Sequence, residues 1–224
     1  MMESDVRKNL QLIESDLSGF SARLLPVSKT FPVERILPAY EAGYKDFGEN
    51  KVQEIMAKKE ELPSDIRWHL IGHLQSNKVK YIAPFIYMIH SVDSEKLLTE
   101  INKQAEKCNR VIPCLLQVFI ATEGTKFGWS PEELLAWYQT DGPSRFPFIS
   151  IQGLMGMASN SPHEEQVRKE FRSLKSLFDQ LKAYDSLANS KMKELSMGMS
   201  GDFRIACEEG STLVRMGTAV FGTR

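Results

Sequence analysis

Short apolar runs alternate along this chain with longer stretches in which apolar residues recur every three or four positions. The first kind reads as strands covered on both faces and the second as helices with one buried stripe. Their alternation from end to end is the pattern of a βα protein. An opening helix is predicted from Val6, Leu10, Ile13, Leu17 and Phe20, whose spacing by fours and threes keeps them on one side. Eight strands are predicted to follow, over residues 23–28, 45–47, 68–71, 87–90, 112–120, 148–153, 194–199 and 212–216. Ser130-Pro131-Glu132-Glu133 supplies a capping hydroxyl, a proline at the first helical position and a reciprocal carboxylate. Ser161-Pro162-His163-Glu164 reads the same way and opens a helix with Val167, Phe171, Leu174, Phe178 and Leu181 on one face. A further helix follows Asp93, read as its cap, with Leu97, Ile101, Ala105 and Cys108 along one side.

Eight βα units predict an α/β fold: a single (β/α)8 TIM barrel with an additional N-terminal helix, one domain over residues 1–224. The units are tightly spaced, since about 250 residues is typical of this barrel, and a doubly wound open sheet competes on pattern alone. No linker, low-complexity tract or repeat divides the chain. The 28 Lys plus Arg against 29 Asp plus Glu leave a net charge of −1. Together with Trp68, Trp129 and Trp137 standing outside any basic-aromatic surface, this gives no case for a nucleic-acid partner. The start MMESDVRKNL lacks the apolar segment of a signal peptide, and uncharged stretches such as 111–122 are too short for a membrane helix. The expectation is a cytoplasmic protein with no membrane partner, a monomer with a weak dimer as the alternative. Cys108, Cys114 and Cys207 lack metal-ligand spacing and read as buried reduced thiols.

In either α/β architecture ligands gather at the carboxyl ends of the strands, so polar residues just past the apolar runs are informative. These are Ser28-Lys29, Gly48-Glu49-Asn50, Gly72-His73, Ser91, Glu123 through Gly128, Met157 through Asn160, Ser200-Gly201-Asp202 and Gly217-Thr218. Lys29 ends the first strand, where a partly dehydrated amine becomes a better carbonyl nucleophile; an exposed lysine or a phosphate counter-charge are the plainer readings. Met199-Ser200-Gly201-Asp202 and Met216-Gly217-Thr218-Ala219 each pass from a strand into a helix-like segment and together suggest a phosphate site, although capping explains each alone. Arg215 shares its direction with Leu213 and Gly217; if Val214 and Met216 pack outward it projects into the barrel, to meet a ligand or an internal carboxylate. His69 reads as a space-filling strand residue, His73 as a structural or acid/base group past the strand end, and Asn50 and Asn77 as turn or cap residues. Met155, Met157, Met197 and Met199 read as packed strand residues.

At these residues the chain resembles the pyridoxal phosphate homeostasis protein family, whose fold is similar to the barrel domain of alanine racemase. The resemblance lies in Val27-Ser28-Lys29, FGENKVQE (47–54), WHLIGHLQSNK (68–78), Glu123 with Lys126 and Gly128, GLMGMAS (153–159), LSMGMSGDF (195–203) and GSTLVRMGTAVFG (210–222). It implies that Lys29 carries pyridoxal 5'-phosphate as a Schiff base. It also implies that Ser200, Gly217 and Thr218 clamp the phosphate, that Arg215 meets the pyridine nitrogen, and that Asn50 and His73 line the cavity. Lys51 stands where an aromatic is common, and Phe127-Gly128-Trp129 differs in detail. The family implies cofactor storage or delivery, with apo-enzymes as recipients, in vitamin B6 and amino-acid homeostasis. An arginine beside the ring nitrogen disfavours its protonation, and the chain stops at Arg224 without the second domain of the racemases; both favour holding over turnover. A pyridoxal phosphate-dependent amino-acid racemase or lyase is the alternative.

Overall fold

The protein is described here from a computed structural model covering residues 2–121, 127–140, 142–187 and 189–223. Eight strands form one sheet: β1 (Arg23–Pro26), β2 (Asp46–Glu49), β3 (Arg67–Leu70), β4 (Met88–Val92), β5 (Ile112–Gln117), β6 (Ile149–Met155), β7 (Ser190–Ser196) and β8 (Leu213–Met216). They run parallel in the order β1-β8-β7-β6-β5-β4-β3-β2. A parallel bridge between Val27 and Gly48, with the Ser28 N–H donating to the Gly48 carbonyl at 3.0 Å, joins β1 to β2 and closes the ring. Closure decides against the open sheet, which would leave two edge strands. The helices α1 (Met2–Leu17), α2 (Val33–Glu41), α3 (Val52–Glu61), α4 (Val79–Ile82), α5 (Glu95–Lys107), α6 (Pro131–Gln139), α7 (Glu164–Leu181), α8 (Phe203–Glu208) and α9 (Thr218–Phe221) complete the (β/α)8-like barrel, with α1 preceding it. Among the described residues no helix is long and apolar enough to cross a membrane.

Strand parity divides the interior in two. Leu24, Phe47, Trp68, Ile89, Cys114, Leu154, Leu195 and Val214 face outward and pack with the helices into one large apolar shell. Met88, Leu115 and Met155 form a separate small cluster inside the barrel. In α1 the predicted stripe is buried through Val6, Leu10, Ile13 and Leu17, and the helix packs on α2 and α9. Burying four such side chains contributes about 1.5–3 kcal/mol each before ordering costs. Between β5, β6 and β7 the register shifts near Gly153 (φ 149°). A Cβ there would stand 1.8 Å from the Glu194 carbonyl, so only glycine lets these strands approach so closely.

Several boundaries differ from the sequence reading. β7 begins at Ser190 and stops at Ser196, and β6 reaches Met155, so Met157 and Met199 lie past their strands and are exposed rather than packed. β2 and β4 each run about two residues further than apolarity alone indicates, through Glu49 and Val92, because ladder bonding continues where the side chains turn polar. Ser130 forms the expected capping box with Glu133. The second such sequence does not: α7 starts at Glu164 after His163, and the Ser161 hydroxyl instead accepts from the His163 N–H and donates to Gln166. Nor does Asp93 cap α5. Ser94 does, accepting from the Leu97 N–H, while Asp93 accepts from the Ser94 hydroxyl. Of the cysteines, Cys114 and Cys207 are buried, and Cys108 is only half-buried at the end of α5.

Candidate functional site

The inward parity of the strands carries on past their carboxyl ends and selects the residues of one mouth. Leu25 and Val27 point inward, and Lys29 continues their row; Gly48 is followed by Asn50, Ile71 by His73, and Arg215 by Gly217. A cavity of about 930 Å³ opens there, lined by Lys29, Asn50, His73, Ser200, Arg215, Gly217 and Thr218 together with Gln117, Phe119, Met157, Ser159 and Asn160. All seven residues singled out from the sequence therefore meet at one site. Glu123, Lys126 and Arg224 lie outside the described residues.

Lys29 is half-buried, and among the described residues its amine has no hydrogen-bond or ion-pair partner. Its backbone is held from behind. The Ser28 hydroxyl donates to Glu49 Oε1 (2.7 Å), and Lys58 Nζ donates to both Glu49 Oε1 (2.6 Å) and the Ser28 carbonyl (2.8 Å). On the other side Thr30 adopts φ 65°, and its N–H donates to Glu54 Oε2 (2.6 Å), which also receives Lys58 at 3.3 Å. A left-handed threonine is strained, and the carboxylate from α3 fixes it. Burial pushes Glu49 up from the ordinary carboxylate range against the pull of Lys58 and Ser28. Burial also raises Glu54, but the Thr30 N–H and Lys58 outweigh it and hold the group low. This clamp escaped the sequence reading, although Glu49, Glu54 and Lys58 fall on the residue spacing of a strand end followed by one helix face.

Beside Lys29, past the ends of β7 and β8, two loops present donors. Among the described residues nothing accepts from the backbone N–H groups of Ser200, Gly201, Thr218 and Ala219. The Ser200 and Thr218 hydroxyls stand beside them at the mouth. The intervening turn is tied down by the Met199 N–H donating to Asp202 Oδ1 at 2.6 Å. Unpaired amides and hydroxyls converging on one place form an anion cradle. Arg215 lies on the floor and is 5% exposed. Its NH1 donates to the Ser196 carbonyl (2.8 Å) and hydroxyl (2.7 Å), and its NH2 to the Gly156 carbonyl (3.2 Å), so the internal carboxylate partner weighed from sequence is replaced by neutral acceptors. Burial pulls the guanidinium down to about 10, opposed by Asp202. The described lining holds cationic Lys29 and Arg215 and no carboxylate, which favours an anionic ligand.

His73 sits on the rim, its side chain 62% exposed, with Nδ1 3.2 Å from Asp93 Oδ2 and its ring beside Phe127. His69 is more than a filler: it is buried and bonded to both Asp46 and His90. Burial lowers the pKa of His69 against the opposing Asp46, and lowers His90 strongly, with His69 and Arg215 adding to the effect. Histidines depressed in the folded state leave the unfolded chain as the better proton binder once pH drops below their ordinary 6.5. Stability is therefore highest above that value and is expected to fall below it, by at most about 1.4 kcal/mol per pH unit for each histidine until its depressed folded-state value is reached. Denaturant unfolding between pH 7.5 and 5.5 checks this; a flat profile contradicts it.

Comparison with known proteins places this geometry. The family model for the alanine racemase N-terminal domain matches residues 3–224. The chain is 43% identical over 204 residues to the pyridoxal phosphate homeostasis protein of Aquifex aeolicus, covering 91% of this chain and 87% of that one. It is 37% identical to the protein of the same description from Vibrio alginolyticus, covering 99% and 98%. Among solved structures it is similar to PipY of Synechococcus elongatus without PLP (TM-score 0.89, 36% identity, 97% and 100% coverage) and with PLP bound (TM-score 0.85, 35% identity, 97% and 100%). An alanine racemase of Clostridium difficile shares the fold at 14% identity (TM-score 0.83), with 99% of this chain matching 57% of that one.

Proposed function

The chain belongs to the pyridoxal phosphate homeostasis protein family, and from that premise we propose that it holds pyridoxal 5'-phosphate covalently on Lys29 and acts in vitamin B6 and amino-acid homeostasis as a carrier of the cofactor rather than as an enzyme. The observation that carries this reading is the convergence of a half-buried lysine amine and an unpaired cradle of N–H and hydroxyl donors on one cavity, built from a single chain. When bound, the cofactor supplies an electrophilic aldehyde carbon and a phosphate monoester. Lys29 offers the amine for the first. Ser200, Gly201, Gly217 and Thr218 offer donors and close backbone approach to the second. Arg215, a cation held by neutral acceptors and unable to accept a hydrogen bond, matches an unprotonated ring nitrogen. That nitrogen, left unprotonated, withdraws electrons weakly, which suits storage better than chemistry at an amino-acid carbon. Asn50 and His73 complete the wall beside Lys29. Apo-enzymes are the recipients this reading implies, since an amine entering the mouth can take the aldehyde carbon from Lys29.

Borohydride reduction of the loaded protein followed by intact mass and peptide mapping tests the assignment. One pyridoxyl phosphate adduct is expected, on the peptide containing Lys29; an adduct mapped elsewhere rejects it. Ser200→Ala combined with Thr218→Val is expected to weaken cofactor retention by at least about tenfold, given 1.5–3 kcal/mol for a hydrogen bond to a charged group, with the visible band of lysine-bound cofactor preserved. Dialysis followed by absorbance reads this, and unchanged retention would place the phosphate elsewhere.

A further inference from the structure

A file of polar side chains crosses the barrel beneath the cavity. Asp46 Oδ1 lies 3.0 Å from His69 Nε2, His69 Nδ1 lies 2.8 Å from His90 Nε2, and His90 Nδ1 lies 3.2 Å from Ser196 Oγ. Ser196 Oγ in turn accepts from Arg215 at 2.7 Å. His69, His90, Ser196 and Arg215 are all buried. Asp46 begins β2 at the end of the barrel remote from the cavity, its side chain 18% exposed, and its other oxygen accepts from Arg67.

With both rings neutral, counting protons admits one arrangement. Arg215 only donates, and an ionised Asp46 only accepts. Burial raises the Asp46 carboxyl, but His69 and Arg67 outweigh it and keep it below its ordinary value. His69 therefore carries its proton on Nε2, which makes its Nδ1 an acceptor. His90 must then donate from Nε2, and its own Nδ1 accepts from the Ser196 hydroxyl, whose oxygen receives Arg215. Each link is satisfied and all point the same way. Burial keeps both rings neutral, with Arg23 opposing a positive charge on each, Arg67 on His69 and Arg215 on His90. An additional proton on His69 would force His90 to its Nδ1–H tautomer and reverse the link to Ser196.

We propose that Asp46, His69, His90 and Ser196 are positioning residues for Arg215: their one-way chain fixes the guanidinium with its remaining N–H groups at the cavity and leaves no exchangeable proton for a ring nitrogen bound there. The proposal rests on the reading of the cavity as a pyridoxal phosphate site. It assigns a role in cofactor retention to Asp46, which does not line the cavity.

The test uses the full chain labelled with 15N-histidine, free and loaded with pyridoxal phosphate, alongside Asp46→Ala, Asp46→Asn, Ser196→Ala and Ser196→Thr. In the unsubstituted protein both rings are expected as neutral Nε2–H tautomers at pH 7, before and after loading. Asp46→Ala and Ser196→Ala are expected to speed cofactor dissociation about fivefold, the worth of one ordinary hydrogen bond, and to displace the visible band. Asp46→Asn and Ser196→Thr keep an acceptor or hydroxyl and restore both. Since Asp46 lies near the surface, its pair of variants carries the test if Ser196→Ala does not fold. A charged ring or an Nδ1–H tautomer in the unsubstituted protein overturns the proposal, and so do unchanged dissociation and band in both alanine variants. If no visible band forms in any chain, the cofactor reading itself fails and this one falls with it, an outcome distinct from a band that ignores the variants.

Discussion

Lys29→Ala is expected to fold normally and to lose all covalently held pyridoxal phosphate. The amine has no partner among the described residues, so its removal leaves no buried group unsatisfied, and the stability change should stay within about 0.5 kcal/mol. The backbone at this position is set by Ser28, Thr30 and their partners rather than by the lysine side chain. The cradle around Ser200 and Thr218 is likewise untouched, so the variant should still take up the cofactor, without a covalent link and more weakly. Absorbance after loading and intact mass after borohydride reduction report the loss directly. A full adduct on the alanine variant would show that another amine does this work.

The second large effect is expected on stability, from Lys58→Ala. Lys58 and Glu49 are an ion pair through Glu49 Oε1, with side chains 9% and 0% exposed, and the buried Glu49 Oε2 has no hydrogen-bond partner among the described residues. Removing the lysine strands a buried carboxylate and leaves the Ser28 carbonyl with the Phe31 N–H alone. Breaking such a pair typically costs about 3–5 kcal/mol, whereas replacing both members with neutral groups is far milder. Glu49→Gln added to Lys58→Ala should therefore recover much of the loss, and a denaturant-based double-mutant cycle measures the coupling. Additive losses would mean that the pair is not the source. Because Lys58 grips the residue preceding Lys29, the single variant should also load cofactor more slowly than its restored partner.

The sequence made the βα order legible because both strand faces are covered, giving compact apolar runs that a period-two or period-3.6 reading separates well. Parity directed Arg215 inward with Leu213, and the other six cavity residues were legible as polar or small residues just past apolar runs, their roles toward a cofactor coming from the family resemblance. The histidine file was hidden for the opposite reason. His69 meets His90 only through the pairing of β3 with β4, and His90 meets Ser196 of β7 only across the barrel interior. The one local sign was His90, polar at the inward parity of buried Met88. Helix starts were mistaken at Asp93 and Ser161 because short polar side chains bond equally well to nearby turns, and the sequence does not say which N–H they receive. Met157 and Met199 were misplaced with their strands, since an apolar residue at a mouth looks in sequence like one in a core.

The joint between β1 and β2 has a mechanical consequence. It consists of one bridge, Val27 with Gly48, immediately before the lysine; among the described residues no β1–β2 ladder continues lower down, where Ala22, Leu24, Gly43 and Tyr44 line a pocket with Ser18 and with Glu14 and Leu17 of α1. The barrel is thus a split ring whose clasp sits at the ligand end and whose gap sits at the other. Opening of the lower rim, where few hydrogen bonds join the two strands, is therefore expected to leave the clasp beside Lys29 in place.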